Sequence, residues 1–254
     1  MVNLNFFLSI LLFLDPTVQS DYKTEHCSLF LSGLPDNDYN RVFCASMPTS
    51  EEVLQVKNFF GNIPYSWPVH VEDYDMQKFL REQGLVKIPQ SLPTSPLMVL
   101  DLNDFHFDNQ INHNFIIHQV DILQEDQIRE WIACKLGVES LYHEQFYKFL
   151  QLLLERFAGN IKLYIGYYQD QPAVTTMIIE HIDVISIHSV FTVHQLRKNG
   201  LACIMLNHVL QEAQQNGCKQ AALISSAFGK SLYERLGFQE KATYLMYGNY
   251  ASDL

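Results

Sequence analysis

Between Ile161 and Val193 the sequence commits itself to sheet. IKLYIGYYQDQPAVTTMIIE (161–180) consists of two runs rich in β-branched and aromatic residues joined at QDQP, which predicts a hairpin, and IDVISIHSVFTV (182–193) follows as a strand of unusual length. The flanks read as alternating elements. Before the hairpin come a strand at FIIHQV, a helix over Gln124–Leu136 built around Ile128, Trp131 and Ile132, and a second helix over roughly Leu141–Phe157. After it come a short loop, a helix from about Leu201 to Asn216 closed by Gly217, a strand at KQAALISS, a helix at GKSLYERL stopped by Gly237, and a last strand at ATYLMYG. The second half is therefore a mixed α/β unit in the order β, α, α, β, β, β, loop, α, β, α, β.

The first half is cut into shorter pieces by proline and glycine: a turn at SGLPDNDYN, strands at VFCAS and IPYSWPVHV, helices at SEEVLQVKNFFG and DMQKFLREQGLV, then a strand at SPLMVLDL. Ser50 followed by Glu51 and Glu52, with Val53, Val56 and Phe59-Phe60 recurring at helical spacing, predicts a capped, acidic helix start, and Asp75, Met76, Phe79 and Leu80 repeat the pattern before Gly84. DFHFDNQINHN is polar and without period, so the domain boundary is placed near residues 103–114. This divides the chain into an apolar N-terminal helix (1–20), an N-terminal α/β domain (21–112) and a C-terminal domain (113–254).

Phe6–Leu14 is apolar enough to suggest the core of an export signal, yet no Lys or Arg precedes it and Asp15-Pro16 follows where small cleavage-site residues belong. A core-packing helix is the reading adopted. The run is also too short to cross a bilayer, which takes about 20 residues. Five cysteines, an odd number without C-x-x-C spacing, indicate neither a disulfide framework nor a zinc site, so a reducing, cytoplasmic compartment is expected. A formal charge of -11 argues against a nucleic-acid-binding face, which needs clustered cations.

QLRKNGLA (195–202) joins the long strand to an apolar helix. A helix start carries roughly half a positive charge and leaves N–H donors unpaired, so a glycine-tipped loop there suits a multiply charged anion such as a pyrophosphate, with Arg197 and Lys198 as added cations. Neither G-x-G-x-x-G nor G-x-x-x-x-G-K-[ST] occurs, which removes motif support for dinucleotide and nucleoside triphosphate folds.

FTVHQLRKNGLACIMLNHVLQEAQQNGCKQAALISSAFGKSLYERLGF resembles the acyl-CoA-binding core of the GNAT superfamily of N-acyltransferases: a strand ending in Val, then R-x-x-G-x-A, an apolar helix, a Gly, a strand, and an ending S-x-x-G-x-x-x-Y-E-R-L-G-F. GLPDNDYNRV, PYSWPV, FLREQGL and PLMVLDL resemble the N-terminal region of a two-domain subset. The resemblance implies a mixed, mostly antiparallel sheet whose central strands splay apart to admit the pantetheine arm, acetyl-CoA as the acyl donor, and a first domain that shapes the acceptor side. It implies that the amides of Phe191, Thr192 and Val193 meet the arm. Backbone groups of Arg197, Lys198, Asn199, Gly200, Leu201 and Ala202 would take the pyrophosphate, and Ser226 would touch the pantetheine or adenosine end unless it is a helix cap.

Acyl transfer from a thioester to an amine requires that the alkylammonium, with a pKa near 10.4, lose a proton and that the leaving thiolate gain one. The resemblance puts Tyr233 at the sulfur; packing on Phe238 is the alternative use of that ring. Relatives often carry a carboxylate on the strand before the loop. VISIHSVFTV has none on the face shared by Ser186, His188, Val190 and Thr192, which leaves His188 as the titratable group there, either a base or a hydrogen-bonded structural histidine, with Glu180 and His181 as secondary candidates. The expected protein acetylates the primary amine of a small molecule or peptide without metal, membrane or nucleic acid. Its rival is a non-catalytic acyl-CoA-binding or interaction module on the same fold.

Overall fold

The computed structural model describes residues 11, 21–88, 94–103, 105–106, 112–157, 159–226 and 228–249. The apolar run Phe6–Leu14 lies outside them apart from Leu11, as does much of the 103–114 segment. The chain divides into two units, one running through Met98 and taking in Ile224–Ser231 and the chain from Glu240, the other formed by Val99–Leu223 and Leu232–Gln239. Among the described residues no helix is long and apolar enough to cross a membrane.

In the first unit β1 (Tyr22–Lys23), β2 (Cys27–Phe30) and β3 (Arg41–Cys44) form a small antiparallel sheet. β4 (Trp67–His70) and β5 (Val86–Lys87) both pair antiparallel with β12 (Gln239–Gly248), and β6 (Ser95–Asp101) is the next strand along the chain. Helices α1 (Ser50–Phe60) and α2 (Tyr74–Glu82) close a core in which Val53, Val56, Phe60, Tyr65, Trp67 and Tyr247 are all buried. Each such side chain contributes about 1.5–3 kcal/mol by leaving water. Tyr65 and Trp67 of YSWPV belong to this core, so they do not face solvent.

Both helix starts lie upstream of the positions read from sequence. Thr49, not Ser50, caps α1: its hydroxyl accepts from the Glu52 amide while the Glu52 carboxylate accepts from the Thr49 amide, a reciprocal capping box. Asp73, not Asp75, caps α2 by accepting from the Met76 amide at 3.0 Å. In each case a polar residue ahead of the apolar period reaches three residues forward, and acidic side chains occupy the first turn.

The cysteine reading is corrected. Cys27 and Cys44 are bridged, because the β2–β3 register sets them opposite each other with Cα atoms 4.3 Å apart, close enough for the bond. An odd count forbids a complete pairing but not one pair. The bridge suits an oxidising compartment, where such bonds persist, better than the reducing one inferred from cysteine number. Cys134 and Cys218 are buried free thiols.

In the second unit β7 (Phe115–Gln119), β8 (Ile161–Tyr168), β9 (Gln171–His181) and β10 (Val184–Thr192) form an antiparallel array in chain order, and β11 (Gln220–Ile224) pairs parallel with β10. The sheet is thus mixed and mostly antiparallel, as expected. Its hairpin turn is tighter than QDQP: Gln169 and Asp170 alone make it, at φ 51° and 62°, the mirror-image geometry that matches strand twist. Pro172 sits inside β9 opposite Tyr167, where the ladder shifts register and can spare an N–H. α3 (Glu125–Leu136) and α4 (His143–Arg156) pack on one another through Trp131 and Phe146, with ring centroids 6.3 Å apart, and the Trp131 indole donates to the Tyr164 carbonyl at 3.0 Å.

α5 (Leu201–Gln215) buries Leu201, Met205, Leu206, Val209, Leu210 and Ala213, the three- and four-residue spacing of one helix face. It lies close to the sheet at Gly166, where a Cβ would stand 2.3 Å from the Phe115 ring and 3.1 Å from the Met205 methyl. The short helix α6 (Lys230–Arg235) ends in the second unit and carries Tyr233.

Candidate acyl-donor and proton-transfer site

β10 is longer than its partner on one side. It pairs with β11 only from Val184 to Ser186, opposite Gln220 to Ala222, and then runs on to Thr192. On its other side β9 stays paired past a bulge between His188 and Phe191. The edge of β10 facing β11 therefore opens beyond Ser186, the splay expected of this strand pair, and a sheet edge without a partner offers main-chain donors and acceptors to an extended ligand.

Which groups face that edge follows from the ladder. The Val193 amide donates to Ala173 at 2.9 Å, so it is committed to β9. Antiparallel alternation commits Phe191, opposite Thr175, in the same way, and turns the Thr192 amide outward. This narrows the expected trio to Thr192 on the open edge. Arg197 folds back on the same strand end: its Nε donates to the Thr192 carbonyl at 3.1 Å and its guanidinium lies 5.6 Å from the Phe191 ring centroid.

The bulge holds a backbone twist in place. Ser189 takes φ 51°, uncommon for a residue with a side chain, and the buried Thr175 hydroxyl donates to the Ser189 carbonyl at 3.1 Å. Thr175 was missed in sequence, where two adjacent threonines in a strand signal β-propensity and nothing more.

Past β10 a single turn of 3-10 helix, His194–Leu196, leads to the loop. Lys198 and Gly200 both have positive φ, 67° and 75°, and Asn199 folds its side-chain amide onto the Leu196 carbonyl at 3.1 Å. Gly200 is the N-cap of α5, no side chain caps that helix, and its first backward bond runs from the Ile204 amide to the Gly200 carbonyl. The leading amides of α5 thus keep the donor capacity of an open helix start. A Cβ on Gly200 would meet no atom within 4 Å, so the loop is open beside it. Arg197, Lys198, Asn199 and Gly200 are exposed, whereas Leu201 is buried and anchors the helix.

The residues with proton chemistry separate by sheet face. His188 is half-buried on the face it shares with Ser186, and its Nε2 lies 2.9 Å from the Ser186 hydroxyl. His181 is buried, with its Nε2 3.1 Å from the same oxygen. Glu180 stands opposite Ile185, hence on the other face, and pairs with Lys162 at 2.7 Å, which also reaches Glu212 at 3.1 Å. Its carboxylate is spent on that network.

Tyr233 is 8% exposed, its ring edge-on to Phe238 with centroids 5.7 Å apart, and burial pushes its hydroxyl up to about 12. The packing use of the ring is therefore present in the fold. Ser226 belongs to the first unit, where its carbonyl accepts from the Gly229 and Lys230 amides at 3.2 Å; Lys230 pairs with Glu240 at 2.8 Å.

Comparison with known proteins agrees with this layout. Residues 123–245 match the family model for an acetyltransferase (GNAT) domain. Among solved structures, a GCN5-related N-acetyltransferase from Kribbella flavida is similar at TM-score 0.70 and 15% identity, covering 99% of this chain and 96% of its own. One from Sphaerobacter thermophilus is similar at TM-score 0.63 and 13% identity, covering 88% and 75%. A tandem GNAT protein from the clavulanic acid biosynthesis pathway follows at TM-score 0.62 and 10% identity, covering 91% and 82%. At these identities the likeness is one of fold. No curated protein sequence matches the chain.

Proposed function

We propose that this protein, whose residues 123–245 match the family model for an acetyltransferase (GNAT) domain, transfers an acetyl group from acetyl-CoA to the primary amine of a small molecule or peptide. The observation that carries the reading is continuous: the open edge of β10 beyond Ser186 leads, through a loop with two left-handed residues, into the uncapped start of α5. A thioester carrier matches both ends of that track, with amide groups for the strand edge and a diphosphate for the helix start. Thr192 would meet the arm, and the backbone from Arg197 to Ala202 the diphosphate.

Acetyl-CoA supplies an activated carbonyl. The acceptor nitrogen attacks that carbon, the new C–N bond forms, and the C–S bond breaks with its electron pair going to sulfur. His188 takes the proton that the ammonium must lose, as a neutral imidazole near pH 7 can. Tyr233 gives the sulfur a hydrogen bond. With its hydroxyl near 12 and a thiol near 8.5, complete proton transfer from the phenol would cost roughly 5 kcal/mol, so it acts as a donor that stays protonated while solvent completes the thiol.

The test is release of free thiol from acetyl-CoA on adding glucosamine, spermidine or short peptides with free amino termini, with products read by a mass gain of one acetyl group. Thiol release with an acetylated acceptor is the expected result. Thermal stabilisation by coenzyme A with no release from any amine would instead mark a binding module and overturn the catalytic reading.

A further inference from the structure

The bulge in β10 changes which main-chain groups reach the open edge. β9 and β10 place His188 opposite Met177 and Phe191 opposite Thr175, so Ser189 and Val190 together stand against the single residue Thr176. One extra residue shifts the alternation of the strand by one. Phe191, not Val190 or Thr192, therefore shares the sheet face of His188, because Thr175 and Met177 lie two apart on β9. The face expected to run through Ser186, His188, Val190 and Thr192 ends at the bulge.

The peptide between Ser189 and Val190 is held from the β9 side. Thr175 is fully buried, and its hydroxyl donates to the Ser189 carbonyl at 3.1 Å. That carbonyl points toward β9, and in a planar trans peptide the N–H lies antiparallel to the C=O. The Val190 N–H thus points away from β9, toward the edge along which β11 has stopped pairing at Ser186. Ser189 takes φ 51° in this arrangement, a left-handed conformation that a residue with a side chain keeps only where its surroundings hold it. Strand packing alone asks for the branched shape of Thr175, which valine would supply; the hydroxyl is what reaches Ser189.

Resting on the reading that acetyl-CoA lies along this edge with its diphosphate at the loop, we propose that Thr175 is a positioning residue for acyl transfer: by holding the Ser189 carbonyl it aims the Val190 N–H at the thioester carbonyl. A donor arm that enters at the loop and passes Thr192 reaches Val190 before the pairing with β11 closes the edge. As the acceptor nitrogen forms its bond to the carbonyl carbon, the carbonyl oxygen takes up negative charge, and a donor already aimed at it stabilises that charge without reorienting. The electron pair returns from the oxygen as the C–S bond breaks and its own pair leaves with sulfur. Thr175 touches neither substrate and keeps its proton throughout.

The test uses the full-length protein in two arms. In the first, amide NMR follows the addition of acetyl-CoA and, separately, of coenzyme A, which has no thioester carbonyl. The Gly200, Leu201 and Ala202 amides should shift with both ligands, and the Val190 amide should shift further with acetyl-CoA than with coenzyme A. Shifts at the loop beside a Val190 amide that responds alike to both ligands, or to neither, overturn the inference alone, whereas no shift anywhere removes the donor reading with it. The second arm measures turnover on acetyl-CoA and whichever of glucosamine, spermidine or a peptide amine releases thiol. Thr175→Val should lower kcat about 10- to 100-fold, a part of what an aimed oxyanion donor contributes, with KM for acetyl-CoA within about twofold, while Thr175→Ser, which keeps the hydroxyl, should stay within about threefold of wild type. An unmoved kcat in Thr175→Val, a change confined to KM, or an equal loss in Thr175→Ser overturns the role of the hydroxyl. Should Thr175→Val fail to fold, the Val190 amide of the wild type and the rate of Thr175→Ser decide the matter.

Discussion

Gly200→Ala isolates what the loop contributes. The residue sits at φ 75°, where an L-residue costs about 1–2 kcal/mol, and the added methyl would meet no atom within 4 Å. The methyl therefore adds no clash, and the loss of stability is bounded by the backbone term. Relief of that strain requires the flanking peptides to rotate, which turns the first amides of α5 away from the mouth of the loop. Each charge-assisted hydrogen bond to a diphosphate is worth about 1.5–3 kcal/mol, so losing one raises Kd about 10- to 150-fold. Calorimetric titration with coenzyme A should show that loss, while S-acetylpantetheine, which lacks the diphosphate, should bind wild type and variant alike. Gly200→Asn adds a larger side chain but tolerates the left-handed region, so its affinity should fall between the two. Equal weakening toward both ligands, or an Asn variant worse than the Ala variant, would refute the backbone argument in favour of simple obstruction.

Four other outcomes follow from the same geometry. Tyr233→Phe keeps the ring against Phe238 and should lower kcat about 10²-fold with little change in melting temperature. Burial alone would raise the Glu52 carboxyl, but hydrogen bonds from Thr24, the Thr49 and His26 amides and the His26 ring outweigh it and hold the group well below the usual range. A carboxyl depressed by folding stabilises the protein above its unfolded value near 4.3 and loses that contribution as pH falls through its folded value; Glu52→Gln should therefore flatten the acid limb of a stability–pH curve and cost about 1–3 kcal/mol near neutrality. Gly166→Ala drives a methyl to 2.3 Å from the Phe115 ring and should cost about 1–3 kcal/mol in denaturant titration, with Phe115→Leu recovering part of it. Cys44→Ser opens a bridge across a sequence separation of 17 and should cost about 3 kcal/mol, and dithiothreitol should lower the wild-type midpoint but not the variant's.

The sequence by itself settled what repeats locally. Apolar spacing marked the helices and β-rich runs of the second unit in their observed order, because helix and strand periods are written in consecutive side chains. The loop was legible for the same reason: two cations, a glycine and an apolar helix start are neighbours in the chain. The caps were missed by one or two residues, since which side chain reaches the first amides depends on the path of the chain into the helix, not on composition.

Tertiary structure alone decided everything that depends on register. Cys27 meets Cys44 because β2 and β3 align there, and Glu180 turns away from His188 because it stands opposite Ile185. The same alignment brings His181 and His188 to one hydroxyl, and the early end of the β10–β11 pairing opens the edge that Thr192 occupies. A one-residue slip between strands sends every side chain to the opposite face while leaving each strand's own pattern unchanged. Strand pattern can therefore nominate residues for a site, and only the pairing of strands brings them together.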